Sequence, residues 1–533
     1  MKFKFLEGKN KRYFVKMQDI KSRDDLQVQE IVRGVLTRTE YMPFVKGTFD
    51  KHISYSYLFN DFIFPYQFWG DVKNKLLTVP SLIKNEDVLL ENDPKETGLF
   101  KQISREDFDE WLHSIKIPED LSIDKKEYSY QQDSAFLAIN NRISRISVAT
   151  SGGKTFLTYI YCKCLVDYVK ITGKILIIVP SVLLCKQLKS DFEHYDSLNE
   201  TKLLVETIYS GSKKVANANI VCGTYQSLSN YDIDYFDEFS CCICDELHRS
   251  KAYSIKNNIY GKIRNADYYF GMTGTFPDIK TLDYIHIVSM FGEEVVNVSV
   301  RQLIDNKVAN NVDIKSIIID YYIDNPKTDE NHVVKFDDIM NRFGELCPDY
   351  EIPDDIEENL SKKYYAEKHY FQSNMHRNAI IAKLINQFEE NSIIFTDTVQ
   401  YCEELYDYLT KKCPDRKFAI IHGSVKNREQ YIEEMKSCES KYVLIATYGT
   451  MSTGVSIKNL TNAYIVDGGK SEIRIKQSLG RLMRIIDNKH TSKIFDFYDN
   501  LYKSSFRNQS RARLSIYKQE KLNIEKFNVK ILI

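Results

Sequence analysis

The chain has 533 residues, 43% of them hydrophobic and 28% charged, with a formal net charge of −1. That balance excludes a disordered chain, and it leaves any attraction for nucleic acid to local basic patches. No run approaches the ~18 apolar residues that cross a bilayer, and the 11 cysteines show no regular framework, so a reducing, cytoplasmic setting with neither membrane nor disulfides is expected.

The length predicts three or so domains. Residues 1–115 read as a small α+β domain. They carry Tyr55, Tyr57, Phe59, Phe62, Phe64, Tyr66, Phe68 and Trp69, and residues 52–59 alternate as a strand does. These aromatics are either the core of that domain or a platform on which bases stack. Residues 105–113 predict a short helix leading into a linker.

From residue 116 the texture changes. Strands are expected over 146–149, 174–180, 219–223, 239–244 and 268–272, with helices over 154–169 and 182–192. This alternation predicts a parallel sheet covered by helices on both faces, a first α/β unit over 116–302. The alternation pauses between 277 and 390. Residues 325–359 are polar and acidic, with Pro326, Pro348 and Pro353, and read as loop or insertion; 362–388 reads as mostly helical. The pattern then restarts with strands over 392–396, 417–421, 442–446, 463–466 and 492–497. Helices are expected over 399–409, 428–436 and 472–485, completing a second unit over 303–500. The fold class is α/β, two tandem parallel-sheet units after a small α+β domain. Residues 501–533 are basic, through Lys503, Arg507, Arg511, Arg513, Lys518, Lys521, Lys526 and Lys530. They read either as a solvated helix face or as a phosphate contact.

Four strings carry chemistry. In Ala149-Thr150-Ser151-Gly152-Gly153-Lys154-Thr155, glycines let backbone N–H groups converge on phosphates at a helix N-terminus. Lys154 can reach the β and γ phosphates and Thr155 can place a hydroxyl on Mg²⁺. The full phosphate-loop pattern would have glycine where Val148 stands, and a plain turn before a helix is the alternative. In Cys244-Asp245-Glu246-Leu247-His248, an apolar strand ends in carboxylates at the edge where parallel sheets bind ligands. Asp245 can hold Mg²⁺ through water, Glu246 can orient and deprotonate the attacking water, and His248 can link the site to its neighbours. Thr273-Gly274-Thr275 ends the next strand and suits a hydrogen-bond relay or an ordinary turn. Gln477, Arg481 and Arg484 share one face of a predicted helix, where guanidinium groups can stabilise phosphoryl transfer; a salt-bridged surface helix is the alternative.

The ordered set resembles the superfamily 2 DExH helicases over residues 125–500. Gln131 follows Tyr130 as in the adenine-reading motif of that family, and Thr150 and Ser151 belong to its phosphate loop. Val179-Pro180-Ser181 with Gln187 is similar to the next motif, and Thr224 and Gln226 fall in a strand-binding element. Phe395-Thr396, Thr447 with Gly454-Val455-Ser456, and 477–484 resemble the later motifs. Within the superfamily the chain is most similar to phage UvsW-type recombination-repair helicases, through 174–180, 107–112 and 452–459.

The resemblance implies ATP bound between two RecA-like units with Mg²⁺, coupling through Thr273, Thr275 and Gly454, and a grip on nucleic-acid phosphates near Thr224, Gln226, Thr447 and Ser471. It implies ATP-driven movement of a monomer on branched DNA or single/double-strand junctions: unwinding, branch migration, fork remodelling, and action on RNA–DNA hybrids. Rival readings are an RNA helicase, a motor subunit of a restriction or remodelling complex, and an ATP-switched nucleic-acid clamp that does not hydrolyse.

Overall fold

A computed structural model describes residues 2–7, 11, 13–18, 23–42, 47–52, 56–58, 61–79, 88–119, 121, 129–209, 217–247, 252–323, 332–351, 360–425, 427–451, 459–469 and 491–532. They form two units, residues 1–299 and 300–533. Among the described residues no helix is long and apolar enough to cross a membrane.

The first unit begins with strands β1 (Lys2–Glu7) and β2 (Tyr13–Gln18), a ribbon of β3 (Thr37–Met42) and β4 (Gly47–His52), then β5 (Ser56–Leu58), β6 (Asp61–Pro65) and β7 (Leu90–Glu91). Five of these make a sheet in the order β5-β6-β2-β1-β7. Period-two alternation drives it: Phe3, Phe5, Tyr13, Val15, Met17, Phe62 and Phe64 are buried, and the intervening residues take the other face. Helices Arg23–Leu36 and Trp69–Leu77 bring Val28, Val32, Leu36, Val72 and Leu76 into the same core.

Of the aromatic residues raised as a stacking platform, Phe62, Phe64, Phe68 and Trp69 are buried, and Tyr66 packs edge-on against Phe5. These five are packing residues, and the base-stacking reading fails for them. Tyr55 and Phe59 lie outside the described residues.

The small sheet shares its core with a larger parallel one. Its apolar cluster includes Ile143, Leu176, Tyr269, Met290 and Phe291 of that second layer. Lys11 pairs with Asp267 at 2.6 Å, and Gln67 donates to the Tyr260 hydroxyl at 3.3 Å.

The second layer of this unit is a seven-stranded parallel sheet. Its strands are β8 (Ile143–Val148), β9 (Lys174–Val179), β10 (Val205–Ile208), β11 (Ile220–Thr224), β12 (Phe239–Cys244), β13 (Tyr268–Thr273) and β14 (Glu293–Val298). Their order is β10-β11-β9-β12-β13-β8-β14, and every neighbouring pair runs parallel.

β8 begins three residues before the expected strand because polar residues are buried in it. All six residues of β8 are buried. Arg145 donates to the Tyr284 hydroxyl at 2.7 Å and lies over the Phe276 and Tyr284 rings, so its charge is packed rather than solvated.

The second unit carries β15 (Asn311–Ile323), β16 (His332–Val333), β17 (Ser392–Thr396), β18 (Lys417–Ile421), β19 (Tyr442–Thr447), β20 (Asn462–Ile465), β21 (Thr491–Asp499) and β22 (Asn523–Leu532). The sheet order is β16-β15-β21-β20-β17-β19-β18, with β22 paired to β15.

Three parts of this unit differ from the sequence reading. The 13-residue β15 lies inside the stretch where the alternation pauses. Within the acidic 325–359 stretch, helices Phe336–Asn341 and Phe343–Leu346 bury Phe336, Ile339 and Phe343, so that portion packs instead of looping out. The basic end of the chain forms helix Ser505–Gln519 and the sheet strand β22; Arg511 and Lys518 are exposed, whereas Arg513 is buried.

Candidate active site

β8, β12 and β13 run parallel, so the turns at their C-terminal ends leave the same edge of the first unit's sheet. The register sets Cys244 beside Gly271 and Thr273 beside Ser147. The loop after β8, the carboxylates after β12 and the threonines after β13 are therefore neighbours by construction.

The loop 149–153 makes a compact turn. Gly152 donates its N–H to Ala149 O at 3.0 Å, and two residues occupy the left-handed region: Ser151 at φ 73° and Gly153 at φ 69°. Gly153 caps the helix Lys154–Cys164 without a side chain of its own. A Cβ at this position would lie 2.1 Å from Gln131 Nε2, so glycine is required both by φ and by close approach. Gln131 is buried, and its Nε2 donates to Gly152 O at 3.2 Å.

The Tyr130 hydroxyl donates to the same carbonyl at 2.7 Å. The sequence motif points to Gln131 and leaves Tyr130 without a role. The adjacency of the two is the available signal, but no local rule says that a hydroxyl 22 residues earlier fixes a loop carbonyl.

Lys154 opens the helix. Its Nζ donates to Val148 O at 3.3 Å and lies 3.9 Å from Glu246 Oε1. Thr155 is the second helical residue and half-buried. The helix is braced against β13 by Thr158, whose Oγ1 donates to Lys154 O at 2.8 Å and contacts Met272 Sδ at 3.3 Å.

The carboxylates sit in a tight turn. Asp245 N–H donates to Ile178 O at 3.0 Å, extending the β12–β9 ladder by one step. Its Oδ1 accepts the Glu246 N–H at 2.8 Å. Glu246 has φ 53°, a left-handed value that costs a non-glycine residue free energy and that clusters at functional sites. Leu247 then turns inward, buried, with its N–H on Met272 O at 3.1 Å. This anchor holds Glu246 toward the lysine.

Thr273 is fully buried, and its Oγ1 both donates to Thr275 O at 2.9 Å and accepts the Thr275 N–H at 3.2 Å. A Cβ on Gly274 would sit 3.5 Å from Thr150 Oγ1. The Thr273–Thr275 turn thus lies alongside the phosphate-type loop.

The other expected residues stand on other elements or outside the described residues. Thr224 is buried and caps the helix Tyr225–Leu228, its Oγ1 accepting the Ser227 N–H at 3.3 Å. Gln226 is exposed on that helix. Thr447 ends β19, 2.8 Å from the Thr450 hydroxyl. His248, Gly454, Ser471, Gln477, Arg481 and Arg484 lie outside the described residues.

The assembled edge of the first unit offers a tight loop at a helix N-terminus, an ammonium and two carboxylates. That set suits a polyphosphate with its divalent cation. Among the described residues no three His, Cys, Asp or Glu side chains group to hold a metal alone. Mg²⁺ commonly needs only one or two carboxylates beside substrate phosphates, so Thr155 and Asp245 fit the role.

A family model for the res subunit of type III restriction enzymes matches residues 105–278, and the helicase conserved C-terminal domain matches 376–486. The ATP-dependent DNA helicase UvsW of Enterobacteria phage T4 is 27% identical over 411 residues, 75% of this chain and 74% of that protein. RNA helicase NPH-II of Myxoma virus is 30% identical over 76 residues, 14% of this chain and 11% of its own length. The structure of the ATP-dependent type ISP restriction-modification enzyme LlaBIII bound to DNA aligns with a TM-score of 0.53 at 14% identity, covering 78% of this chain and 32% of that one, a likeness of fold. The chain is similar to the superfamily 2 helicases, within them to the phage UvsW type, and these matches support an ATP-dependent helicase enzyme.

Proposed function

We propose that the protein hydrolyses ATP at the loop 149–155 and uses the turnover to move along DNA, with branched molecules as its preferred substrates. The observation that carries the chemistry is Lys154 Nζ lying 3.9 Å from Glu246 Oε1 beneath the left-handed Ser151–Gly153 turn.

In this reading the amides of Gly153 and Lys154 and the Lys154 ammonium bind the β and γ phosphates. Gln131 and Tyr130 hold the Gly152 carbonyl so that the neighbouring N–H groups face the ligand. Glu246 orients the attacking water and accepts its proton. A magnesium ion held by Thr155 and Asp245 would supply charge neutralisation on the phosphates. Arg481 and Arg484 are proposed to stabilise the charge that develops on the transferring group. Thr224, Gln226, Thr447 and Ser471 are proposed near the strand. A phosphate grip reads no sequence, which suits a motor that passes any sequence. The protein is proposed to work as a monomer in a host cytoplasm.

The preference for branched DNA, with branch migration, fork remodelling and removal of RNA from hybrids, is supported by the T4 relative, whose match extends over three quarters of this chain. An RNA substrate is the second reading, favoured by the short match to a viral RNA helicase.

The test is phosphate release and strand separation on a panel of fork, four-way, linear duplex, RNA–DNA and RNA–RNA substrates. Stimulation by forks and four-way junctions above linear duplex supports the proposal. Stimulation by RNA alone would move the assignment to the second reading.

A further inference from the structure

We propose that the outer edge of β22 is a docking site for another protein, which adds an extended acidic segment to the second unit's sheet as a further strand. The surface involves none of the residues placed at the ATP site.

β22 is ten residues long, Asn523–Leu532. Its ladder with β15 runs unbroken from Asn523 opposite Asp313 to Leu532 opposite Tyr322. Among the described residues it pairs with no other strand. In a parallel ladder alternate residues turn N–H and C=O toward the neighbour, and the residues between turn theirs outward. The outward groups of β22 meet no protein partner among the described residues, so a row of donors and acceptors faces solvent.

The edge strands of the two parallel sheets are otherwise short or irregular. β10 has four residues and β18 has five, and the ladder of β14 slips between Glu294 and Val296. Such features keep edges from recruiting strands. β22 is longer, carries no proline and shows no slip.

Its side chains sort by face. Glu525, Phe527, Val529 and Ile531 share one. Ile531 and Val529 reach the second unit's core, and Glu525 is neutralised by Lys315 at 2.6 Å. Phe527 stays 45% exposed. The opposite face carries Lys526 and Lys530. Lys526 is exposed and forms no ion pair among the described residues. Lys530 Nζ lies 5.0 Å from the centre of the Tyr322 ring. Lys518 and Lys521, just before the strand, are exposed as well. The carboxylate of Glu520 is engaged, accepting the Val300 N–H at 3.2 Å. Charge around the edge is therefore in positive excess.

The alternation of donors and acceptors selects the class of partner. A peptide strand brings both C=O and N–H groups and satisfies the whole edge. A DNA backbone brings phosphate acceptors alone, so the outward carbonyls of β22 would face anionic oxygens. A second copy of β22 would bring its own lysines, and like charges across a strand pair are destabilising. An acidic segment avoids both penalties. Carboxylates at every second position meet Lys526 and Lys530, and the intervening side chains, if apolar, cover Phe527 on the other face.

The test uses the full-length protein and a fluorescein-labelled peptide of roughly eight residues, alternating glutamate and valine, followed by anisotropy at low salt. The comparators are the same peptide N-methylated at alternate amides along one edge, a lysine–valine peptide, and a labelled single-stranded oligonucleotide. The variants are Lys526→Glu/Lys530→Glu, Lys526→Gln/Lys530→Gln and Phe527→Ser, with Tm and basal ATPase read alongside and expected to match the parent. The parent should bind the glutamate peptide saturably, and N-methylation should weaken that binding about tenfold or more. Charge reversal should cost about tenfold or more and transfer preference to the lysine peptide. The glutamine pair should show a smaller loss of the same sign, without added repulsion. No saturable binding up to about 1 mM peptide, or equal binding of the N-methylated form, overturns the proposal. Oligonucleotide binding lost on charge reversal, with peptide binding unaltered, would assign the lysines to nucleic acid and overturn it. A dimer of the parent abolished by Phe527→Ser would give the edge to a second copy and overturn it as well.

Discussion

Gly153→Ala puts the phosphate-loop geometry under the sharpest strain. The residue sits at φ 69°, ψ 36°, where an L side chain costs about 1–2 kcal/mol. The new Cβ would fall 2.1 Å from Gln131 Nε2, so the amide must leave Gly152 O, losing a hydrogen bond worth about 0.5–1.5 kcal/mol. The sum is about 1.5–3.5 kcal/mol, and if the loop abandons its bound-like shape this appears as a roughly 10- to 300-fold loss of nucleotide affinity. The assay is titration with a fluorescent ATP analogue, with Tm measured alongside. The double variant Gly153→Ala/Gln131→Ala removes the collision and retains the backbone strain. Relative to Gln131→Ala alone it should show only about a 5- to 30-fold loss. Parent-like binding by Gly153→Ala, or full relief of its effect in the Gln131→Ala background, would refute the assignment of these two costs.

Lys154→Ala should abolish ATP turnover with Tm within a few degrees of the parent, because the ammonium is only partly buried and its contacts with Val148 O and Glu246 are long; normal turnover would discard the site. Glu246→Gln should keep nucleotide binding and lose about 10²- to 10⁴-fold in kcat, read by single-turnover phosphate release. Arg377→Ala leaves Asp499 buried without its cation and should lower stability by about 3–5 kcal/mol, measured by denaturant unfolding of the second unit's transition. Lys4 and Lys16 stand directly opposite on β1 and β2, which sets two ammonium groups on one face where a phosphate could share them. Lys4→Glu/Lys16→Glu should weaken fork binding and flatten its salt dependence while basal ATPase stays unchanged; identical binding curves would leave the pair without a nucleic-acid role.

Much of the candidate site's edge is legible in the sequence because its rules are local. A buried apolar strand, paired glycines, a lysine opening a helix and a strand ending in Asp245-Glu246 each speak within a few residues, and register then aligns them. β8 is legible only at its C-terminal end, since Ser144 and Arg145 look like surface until Tyr284 and Phe276 are packed around them. The strand β22 reads as part of a basic tail. Lys526 and Lys530 punctuate it, and its partner β15 lies about 200 residues earlier, so no local pattern announces the pairing. Long-range pairing likewise hides β15 itself, whose neighbours β21 and β22 both come from the end of the chain.

The N-terminal aromatics show the converse. Their alternation is visible, but which face is buried depends on helices Arg23–Leu36 and Trp69–Leu77 and on the neighbouring parallel sheet. That shared core also changes how the region is best tested. Removing residues 1–100 would strip Phe3, Val15, Phe62 and Phe64 from a cluster they share with Leu176 and Phe291, so point changes on the solvent face are the cleaner probe.

The proposed mechanism turns on ATP cleavage at Lys154 and Glu246 being driven by a DNA strand. The most direct measurement is steady-state phosphate release by the parent and Glu246→Gln proteins, each with and without a forked DNA. A parent rate raised severalfold by the fork and abolished in Glu246→Gln, with nucleotide still bound, is the expected result. Equal rates with and without DNA, or fork-stimulated release that survives Glu246→Gln, would contradict it.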